Sequence, residues 1–226
     1  MSIRGLEKFT TLDYLGKDSA VVFFSGCNFS CPYCQNPDLV GNDLPDLNEE
    51  EVIQFLERRK KWLDAVVISG GEPTLDPNLP GFLNRVRSLG YATKIFTNGS
   101  TPDTLEQLIP LLDSISMDVK GPLDRYPEIT QSRIHPENVE RSTRIVRDSR
   151  LDYEFRTTIL PDLIVKEDLL KIANWLKGSQ RYILQNFNSK VPVLDPSYQE
   201  KQGYTKEQMA EFKELLSPYF GVVKTL

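Results

Sequence analysis

The sequence predicts an α/β fold, a partial (β/α)6 barrel that is open on one side. Six strand-like apolar runs alternate with amphipathic segments along the 226 residues, and such alternation is typical of a parallel sheet with right-handed crossovers. A closed eight-unit barrel typically takes about 250 residues, so six units favour an incomplete one. No linker, repeat or low-complexity tract divides the sequence, and we expect one domain over residues 1–226.

The predicted strands are short runs rich in valine, isoleucine and phenylalanine. They are AVVFF (20–24), AVVIS (65–69), TKIFT (93–97), SISMDV (114–119), YEFRTTI (153–159) and RYILQNF (181–187). A last run, GVVKTL, predicts a further edge strand. In a parallel sheet the carboxyl ends of these strands meet at one face, and such folds bind their ligands there.

Capping signals mark the starts of several helices between the strands. A polar residue followed three positions later by Glu or Gln resembles a capping box, and a threonine directly before a proline predicts an N-cap with proline at N1. The residue pairs are Asn48 with Glu51, Thr205 with Gln208, and Thr101 with Pro102.

Two connections are longer than a compact domain usually needs. Residues 121–137 follow the fourth predicted strand, and residues 188–204 follow the sixth. Both connections leave the carboxyl ends of strands, so we expect both to lie beside the functional site.

Charge and hydropathy argue against two classes of partner. A net charge of −5 does not suit a broad phosphate-binding surface, so we expect no nucleic acid. The start of the sequence has no apolar signal region, and the longest early apolar run, residues 20–24, is only as long as a strand. We therefore expect no membrane association and a cytoplasmic protein. In that reducing compartment, clustered cysteines are metal ligands more often than disulfides.

All three cysteines, Cys27, Cys31 and Cys34, lie directly after the first predicted strand. A structural zinc site takes four protein ligands, and the single histidine, His135, is far along the chain. Zinc completed by a carboxylate, a Cys31–Cys34 redox pair that leaves Cys27 unexplained, and three merely buried thiols remain as alternatives. An iron–sulfur cluster explains the number better, because a 4Fe–4S cluster with three thiolates keeps one iron open for a substrate or cosubstrate.

The cysteine spacing, with Tyr33 before the last cysteine, resembles the signature of the radical S-adenosylmethionine (SAM) superfamily. Four further segments at strand ends resemble motifs of that superfamily in the same order. They are SGGEPT (69–74), FTNGS (96–100), MDVK (117–120) and YEFRTTILP (153–161). The resemblance runs over nearly the whole sequence. It is closest to the activating enzymes of glycyl radical enzymes and, within these, to the activating proteins of anaerobic ribonucleoside-triphosphate reductase.

The resemblance implies two cofactors, one 4Fe–4S cluster on the three cysteines and SAM on the open iron. Ten residues are expected to contact SAM or to support its binding. They are Tyr33, Gly70, Gly71, Glu72, Thr97, Asn98, Asp118, Lys120, Arg156 and Gln185.

Each expected role combines the resemblance with the chemistry of the residue. The two glycines have no side chains, so a ligand can approach their backbone, and by resemblance this stretch binds the methionine amino group with Glu72 in support. Arg156 offers a planar fork for a carboxylate, and the ring of Tyr33 suits the adenine. Asp118 and Lys120 are assigned to the ribose or methionine, and Gln185 to the ribose.

By resemblance, the protein is an oxidoreductase of anaerobic metabolism. Reductive cleavage of SAM would give methionine and a 5′-deoxyadenosyl radical, which we expect to take a Cα hydrogen from a glycine of a partner glycyl radical enzyme. The best-matched partner is anaerobic ribonucleoside-triphosphate reductase, and the implied electron donor is a flavodoxin or ferredoxin. The alternatives are a pyruvate formate-lyase-like partner, a small-molecule substrate such as a pterin-like ring, and a non-catalytic iron–sulfur electron-transfer module.

The sequence departs from the family pattern at two positions. Phe96 stands before Thr97-Asn98-Gly99, where activating enzymes of this kind often have an acidic residue, and this puts in doubt a cation site built on that position. No histidine is evident near the sixth strand, where Gln185 lies nearest. With no further cysteines, auxiliary iron–sulfur domains are excluded.

Overall fold

Eight strands form one sheet, and their order in the sheet follows their order in the sequence. The structure is a computed structural model that describes residues 3–41 and 44–226. The strands are β1 (Ile3–Thr10), β2 (Ser19–Phe24), β3 (Ala65–Gly70), β4 (Ala92–Thr97), β5 (Ser114–Asp118), β6 (Asp152–Ile159), β7 (Arg181–Asn186) and β8 (Val222–Thr225). β1 is antiparallel to β2, and every later neighbouring pair is parallel. β1 and β8 are the edges of the sheet, which is therefore an open, partial barrel as predicted.

Helices follow the strands in the alternation that the sequence predicts. They are α1 (Pro37–Gly41), α2 (Glu49–Arg59), α3 (Leu79–Ser88), α4 (Pro102–Leu108), α5 (Tyr126–Thr130), α6 (Pro136–Asp148), α7 (Lys166–Leu176) and α8 (Lys206–Leu216). None of the helices among the described residues is both long and apolar enough to cross a membrane.

The six predicted strands are confirmed as β2 to β7, and the terminal run is confirmed as β8. The structure adds β1, which the sequence analysis did not predict. Most of β1 is only partly buried, with Glu7, Lys8 and Phe9 exposed. An edge strand of this kind carries no apolar run, so it gives little signal in the sequence.

The two faces of the strands have different environments. On β3, Val66 and Ile68 pack into the large core beneath the helices. Their neighbours Ala65 and Val67 belong to a second, smaller cluster with Tyr14 and Val21 inside the barrel. This alternation follows from the two-residue period of a strand. Tyr14 lies in the turn between β1 and β2, so the β1–β2 hairpin contributes to the filling of the barrel interior.

The capping signals differ in outcome. Thr205 forms the complete predicted capping box with Gln208. Asn48 is confirmed as an N-cap, but its side chain accepts a hydrogen bond from the N–H of Glu50 (2.8 Å) and no reciprocal bond from Glu51 completes a box. Thr101 stands at the N-cap position without a capping bond. Its hydroxyl lies 2.5 Å from that of Thr74, which takes the place of the capping contact.

Candidate active site

A cavity of about 300 Å³ opens at the carboxyl ends of the parallel strands, on the face where the sequence analysis expected a ligand. Twelve of the thirteen predicted site residues line it. They are Cys27, Cys31, Tyr33, Cys34, Gly70, Gly71, Thr97, Asn98, Asp118, Lys120, Arg156 and Gln185. Glu72 is the exception, because it is fully buried beneath the cavity.

The three cysteines lie on one loop between β2 and α1, and none of them forms a disulfide. The backbone turns between the second and third cysteines, where the N–H of Cys34 donates to the carbonyl of Cys31 (2.9 Å). The loop is tied at its start by a hydrogen bond from the N–H of Gly26 to the carbonyl of Leu39 (2.7 Å).

Both long connections contact this cysteine loop. In the 121–137 connection, the carbonyl of Thr130 accepts a hydrogen bond from the N–H of Ser30 (3.0 Å). In the 188–204 connection, the N–H of Leu194 donates to the carbonyl of Cys34 (3.0 Å), and the N–H of Asp195 donates to that of Pro32 (2.9 Å). The two connections therefore lie beside the site, and both hold its backbone.

The thiols are shielded from water. Burial raises the pKa of Cys27 to about 12 and that of Cys31 to about 11. A bound metal must therefore supply the energy that removes these protons. Among the residues that the structure describes, no three His, Cys, Asp or Glu side chains converge as ligands of a single metal ion.

Gly70 and Gly71 are required by chain packing. Gly70 has φ +132°, and a Cβ on it would lie 1.9 Å from the carbonyl oxygen of Phe24. A Cβ on Gly71 would lie 2.1 Å from the carbonyl oxygen of Gly26, directly before Cys27. From the sequence, these glycines are expected to allow the close approach of a ligand. In the structure, the end of β2 fills the space beside Gly70 and the start of the cysteine loop fills that beside Gly71, although both glycines still line the cavity.

Glu72 connects two strand ends beneath the cavity. Its carboxylate accepts hydrogen bonds from the hydroxyls of Thr74 (2.5 Å) and Thr97 (2.8 Å) and from the N–H of Asn98 (2.5 Å). Burial raises the pKa of Glu72, while these hydrogen bonds oppose the rise. Its place is thus one of structural support beneath the cavity.

Asn98 continues this network to the cysteine loop. Its side-chain amide donates to the Oδ1 of Asn28 (3.0 Å) and approaches the Sγ of Cys27 at 3.9 Å. The hydroxyl of Ser100 also contacts Asn28. Glu72 is hydrogen-bonded to Asn98, and Asn98 is hydrogen-bonded to Asn28. The segments 69–74 and 96–100 therefore together support the loop at Cys27.

Asp118 and Lys120 form an ion pair on the cavity wall, with 2.9 Å between Lys120 Nζ and Asp118 Oδ2. Burial acts to lower the pKa of Lys120, but the charge of Asp118, with smaller effects of Tyr33 and Cys31, raises it well above its usual value. Lys120 is therefore a permanent cation beside the cysteines.

Tyr33 lines the same wall and is 3% exposed. Burial raises the pKa of its phenol well above the usual value. A weak hydrogen bond to the thiol of Cys31 lowers the pKa of that thiol, and the hydroxyl has no other partner among the described residues. A buried hydroxyl with so little hydrogen bonding keeps capacity for a ligand.

Arg156 lies on β6, and its register partner on the neighbouring strand β5 is Asp118 of the ion pair. Its Nη2 donates to the side-chain oxygen of Gln185 on β7 (2.6 Å), and its guanidinium lies 5.0 Å from the ring centroid of Phe96 on β4. Its Nε is buried and has no partner among the described residues. The guanidinium is therefore held on two sides and keeps a donor free.

Several residues that line the cavity were absent from the sequence analysis. Thr158 is two positions after Arg156 on the same face of β6, so strand periodicity could have identified it. Asp13 reaches the cavity from the turn after β1, and no sequence signal indicates that contact. His135 does not line the cavity.

The sequence model of the radical SAM superfamily matches residues 21–176, more than half of the chain. The chain belongs to the radical SAM superfamily, whose enzymes use a 4Fe–4S cluster and SAM. It is therefore an enzyme with radical chemistry of the oxidoreductase type. The residues present fit both cofactors, since three unbridged thiols and the unpartnered Arg156 Nε belong to residues that line one cavity.

Individual relatives indicate which enzymes of the superfamily the chain resembles most over its full length. A candidate glycyl-radical enzyme activating enzyme of Methanocaldococcus jannaschii is 31% identical over 236 residues, covering 99% of this chain and 96% of that protein. The pyruvate formate-lyase-activating enzyme of Clostridium pasteurianum is 28% identical over 220 residues, covering 86% and 91%. A 7-carboxy-7-deazaguanine synthase of Methanopyrus kandleri is 30% identical over 154 residues, covering only 57% and 59%. Of these three, the two that match over most of both chains are activating enzymes.

Solved structures support the fold. The Streptococcus suis protein SuiB, in a crystal structure bound to its precursor peptide SuiA, superposes with a TM-score of 0.69 at 15% sequence identity. The superposition covers 91% of this chain and 48% of SuiB, so the chain spans about half the length of that protein. At this level of identity the likeness concerns the fold alone.

Proposed function

We propose that the protein activates a glycyl radical enzyme, and that the thirteen residues predicted from the sequence form or support its cofactor site. One observation carries the proposal: three free cysteines and Arg156, with its unpartnered donor, line the same cavity at the carboxyl ends of the strands. When bound, the cluster and SAM supply a 5′-deoxyadenosyl radical. The chain binds these groups, orients them and excludes water.

Cys27, Cys31 and Cys34 would hold the cluster as thiolates. Lys120, which is charged and close enough to lower the pKa of both Cys27 and Cys31, supports their deprotonated form. The charge of Lys120 also favours an anionic cluster over an empty loop. The backbone at Gly70 and Gly71 would face the methionine amino group. The buried Glu72, directly after these glycines, would hold that backbone in place.

Arg156 is the candidate ligand of the SAM carboxylate. Its Nη2 is engaged by Gln185, so Nε and the rest of the fork remain for a carboxylate, which guanidinium binds well. Tyr33 would contact the adenine, and Asp118 would accept from the ribose hydroxyls. Thr97 and Asn98, which line the floor beside Glu72, complete the contact surface.

The proposed function also requires a partner enzyme and an electron donor. Two relatives that match over most of this chain are activating enzymes, and we propose anaerobic ribonucleoside-triphosphate reductase as the partner, with a flavodoxin or ferredoxin as electron donor. Support comes from the cavity itself. It lies beside two long connections at the carboxyl ends of the strands of an open barrel, so a segment of another protein has room to reach it.

Electron paramagnetic resonance tests the site. Anaerobically reconstituted, reduced protein should show a 4Fe–4S signal that changes shape when SAM is added. Single Cys→Ala variants at positions 27, 31 and 34 should each lose the signal. A cluster signal that is indifferent to SAM would contradict the proposed site, and normal cluster content in a Cys→Ala variant would contradict the assignment of that ligand.

A second experiment tests the partner. The reduced enzyme and SAM are incubated with purified anaerobic ribonucleotide reductase or pyruvate formate-lyase. A stable glycyl radical doublet with one 5′-deoxyadenosine formed per radical is expected with the reductase. A radical on pyruvate formate-lyase alone would transfer the proposal to that partner. SAM turnover that depends on a small metabolite and gives no protein radical would contradict the proposed function.

A further inference from the structure

Two cations lie close to the ring of Phe96 inside the barrel. The guanidinium of Arg156 is 5.0 Å from its ring centroid, and the Nζ of Lys94 is 4.8 Å from it. Phe96 also lines the active-site cavity. We propose that Phe96 is a positioning residue, whose ring holds the guanidinium of Arg156 so that its free donor meets the carboxylate of SAM. The inference rests on the proposed function, because that function assigns the carboxylate to Arg156.

The register of the sheet explains how the ring and the guanidinium meet. Phe96 on β4 pairs with Ser116 on β5, and Ser116 pairs with Glu154 on β6. Arg156 is two residues beyond Glu154 and so shares its face of the strand. On β5, between the two strands, Ser116 pairs with Phe96 and Asp118 pairs with Arg156. The guanidinium reaches to 5.0 Å from the ring centroid across this part of β5.

Lys94 does not compete with Arg156 for the ring as a mobile cation would. Its Nζ is fixed by Glu154 at 3.1 Å, and the side chains of Lys94 and Glu154 are 6% and 15% exposed. Glu154 in turn accepts a hydrogen bond from Ser116 (2.9 Å). Lys94 is therefore a fixed neighbour of the ring, held by Glu154 on the side of the strand that Phe96 shares.

The ring leaves hydrogen-bond donors of the guanidinium free. Gln185 engages Nη2 at 2.6 Å, the ring centroid of Phe96 lies 5.0 Å from the guanidinium, and the buried Nε has no partner among the described residues. A carboxylate in place of the ring would instead form an ion pair with Arg156 and compete with the carboxylate of SAM. Phe96 thus orients the arginine without consuming its hydrogen-bond donors, because a cation–π contact uses the face of the guanidinium.

A ligand–protein cycle tests this role with a binding readout. Anaerobic equilibrium dialysis measures the affinity of the cluster-loaded enzyme for SAM and for decarboxylated SAM, which lacks the group that Arg156 would bind. Phe96→Leu keeps an apolar side chain but removes the π face, and it should weaken SAM binding by roughly 3- to 30-fold. It should leave the affinity for decarboxylated SAM unchanged, and Phe96→Tyr should restore the affinity for SAM.

Two further variants complete the design. Phe55→Leu removes a half-buried ring that lies 5.8 Å from Arg59, and this matched control should change neither affinity. Arg156→Leu should remove the preference for SAM that Phe96→Leu reduces. The double variant Phe96→Leu/Arg156→Leu should lose no more than Arg156→Leu alone.

The outcomes separate the inference from the function on which it rests. If Phe96→Leu weakens both ligands equally, or if Phe96→Tyr fails to rescue, the ring only fills space and the inference is overturned. If Arg156→Leu loses the preference for SAM while Phe96→Leu keeps it, the role of Phe96 fails and that of Arg156 stands. If Arg156→Leu binds both ligands as the wild type does, the assignment of the carboxylate to Arg156 fails.

Discussion

The carboxylate of Glu72 accepts a hydrogen bond from the backbone N–H of Asn98 at 2.5 Å, and both residues are buried. This bond joins the end of β3 to the end of β4, directly beneath the cavity. Through Asn98 and Asn28 the same network reaches the cysteine loop. The three motifs that the sequence shows as separate segments are therefore one hydrogen-bonded unit.

Replacement of Glu72 by glutamine should break this unit. The amide has one acceptor oxygen where the carboxylate has two, so at least one buried donor loses its partner. We expect a loss of about 2–3 kcal/mol in the free energy of unfolding, measured by urea denaturation. Glu51→Gln on the exposed side of α2 is the control and should change stability little. Equal effects of both variants would contradict the role of Glu72 as a buried connector.

Gly71→Ala should displace the cysteine loop, because the added Cβ would lie 2.1 Å from the carbonyl oxygen of Gly26. We expect a loss of about 1–3 kcal/mol in stability and reduced iron and sulfide content after reconstitution. Gly81→Ala in α3 is the matched control, since nothing lies within 4 Å of its Cβ position. The control should keep its cluster content and gain up to about 1 kcal/mol. Full cluster content in Gly71→Ala would refute the packing argument.

The buried pair of Lys94 and Glu154 should govern part of the stability at low pH. Burial tends to raise the pKa of Glu154, but the charge of Lys94 and hydrogen bonds from Lys94 and Ser116 lower it below its usual value of 4.5. The unfolded chain then binds more protons than the folded one near and below that pH. Stability from this group is thus present above about pH 4.5 and is lost as the pH falls.

Glu154→Gln tests that dependence. At pH 7 it should cost about 3–5 kcal/mol, because Lys94 keeps a buried charge without its partner. Its stability should also fall less steeply than that of the wild type when urea unfolding is repeated at decreasing pH below 4.5. The double variant Lys94→Met/Glu154→Gln should recover part of the loss. A pH slope identical to that of the wild type would show that Glu154 does not carry it.

The cluster-free protein should react slowly with iodoacetamide at Cys27 and Cys31. With pKa values of about 12 and 11, these thiols are almost fully protonated at pH 8, and thiolate is the reactive form. We expect labelling on the order of a hundredfold or more slower than that of an unperturbed cysteine, with a rate that rises with pH. Mass spectrometry of labelled peptides measures it, and urea-unfolded protein is the control. Rapid labelling of the folded protein at pH 8 would contradict the burial of these thiols.

The sequence allowed prediction of the strands that carry apolar runs and of the residues at their carboxyl ends, because both depend on local patterns. β1 escaped because a partly exposed edge strand with Glu7, Lys8 and Phe9 on the outside has no such pattern. For Gly70 and Gly71 the sequence indicated room for a ligand, whereas the structure places the backbone of Phe24 and Gly26 beside them, a long-range contact that no local pattern reveals.

Contacts between distant residues were the other part that the sequence could not supply. Gln185 was a weak candidate for the ribose, yet the structure joins it to Arg156 on the neighbouring strand. In the sequence, Phe96 is notable only because related activating enzymes often have an acidic residue at this position. Its closeness to both Lys94 and Arg156 follows from the sheet register, which becomes visible only when the strands are assembled.

The hydrogen bonds from Leu194 and Asp195 to the cysteine loop bear on the time at which the cluster can be inserted. Leu194 follows Cys34 by 160 positions (194 minus 34). At a synthesis rate of about 5–20 residues per second, the cysteines leave the ribosome on the order of 10–30 s before the segment that secures them. The hydrogen bonds that brace the cysteine loop therefore form only after most strands of the barrel have been synthesised, and a cluster inserted earlier would enter a loop that lacks them.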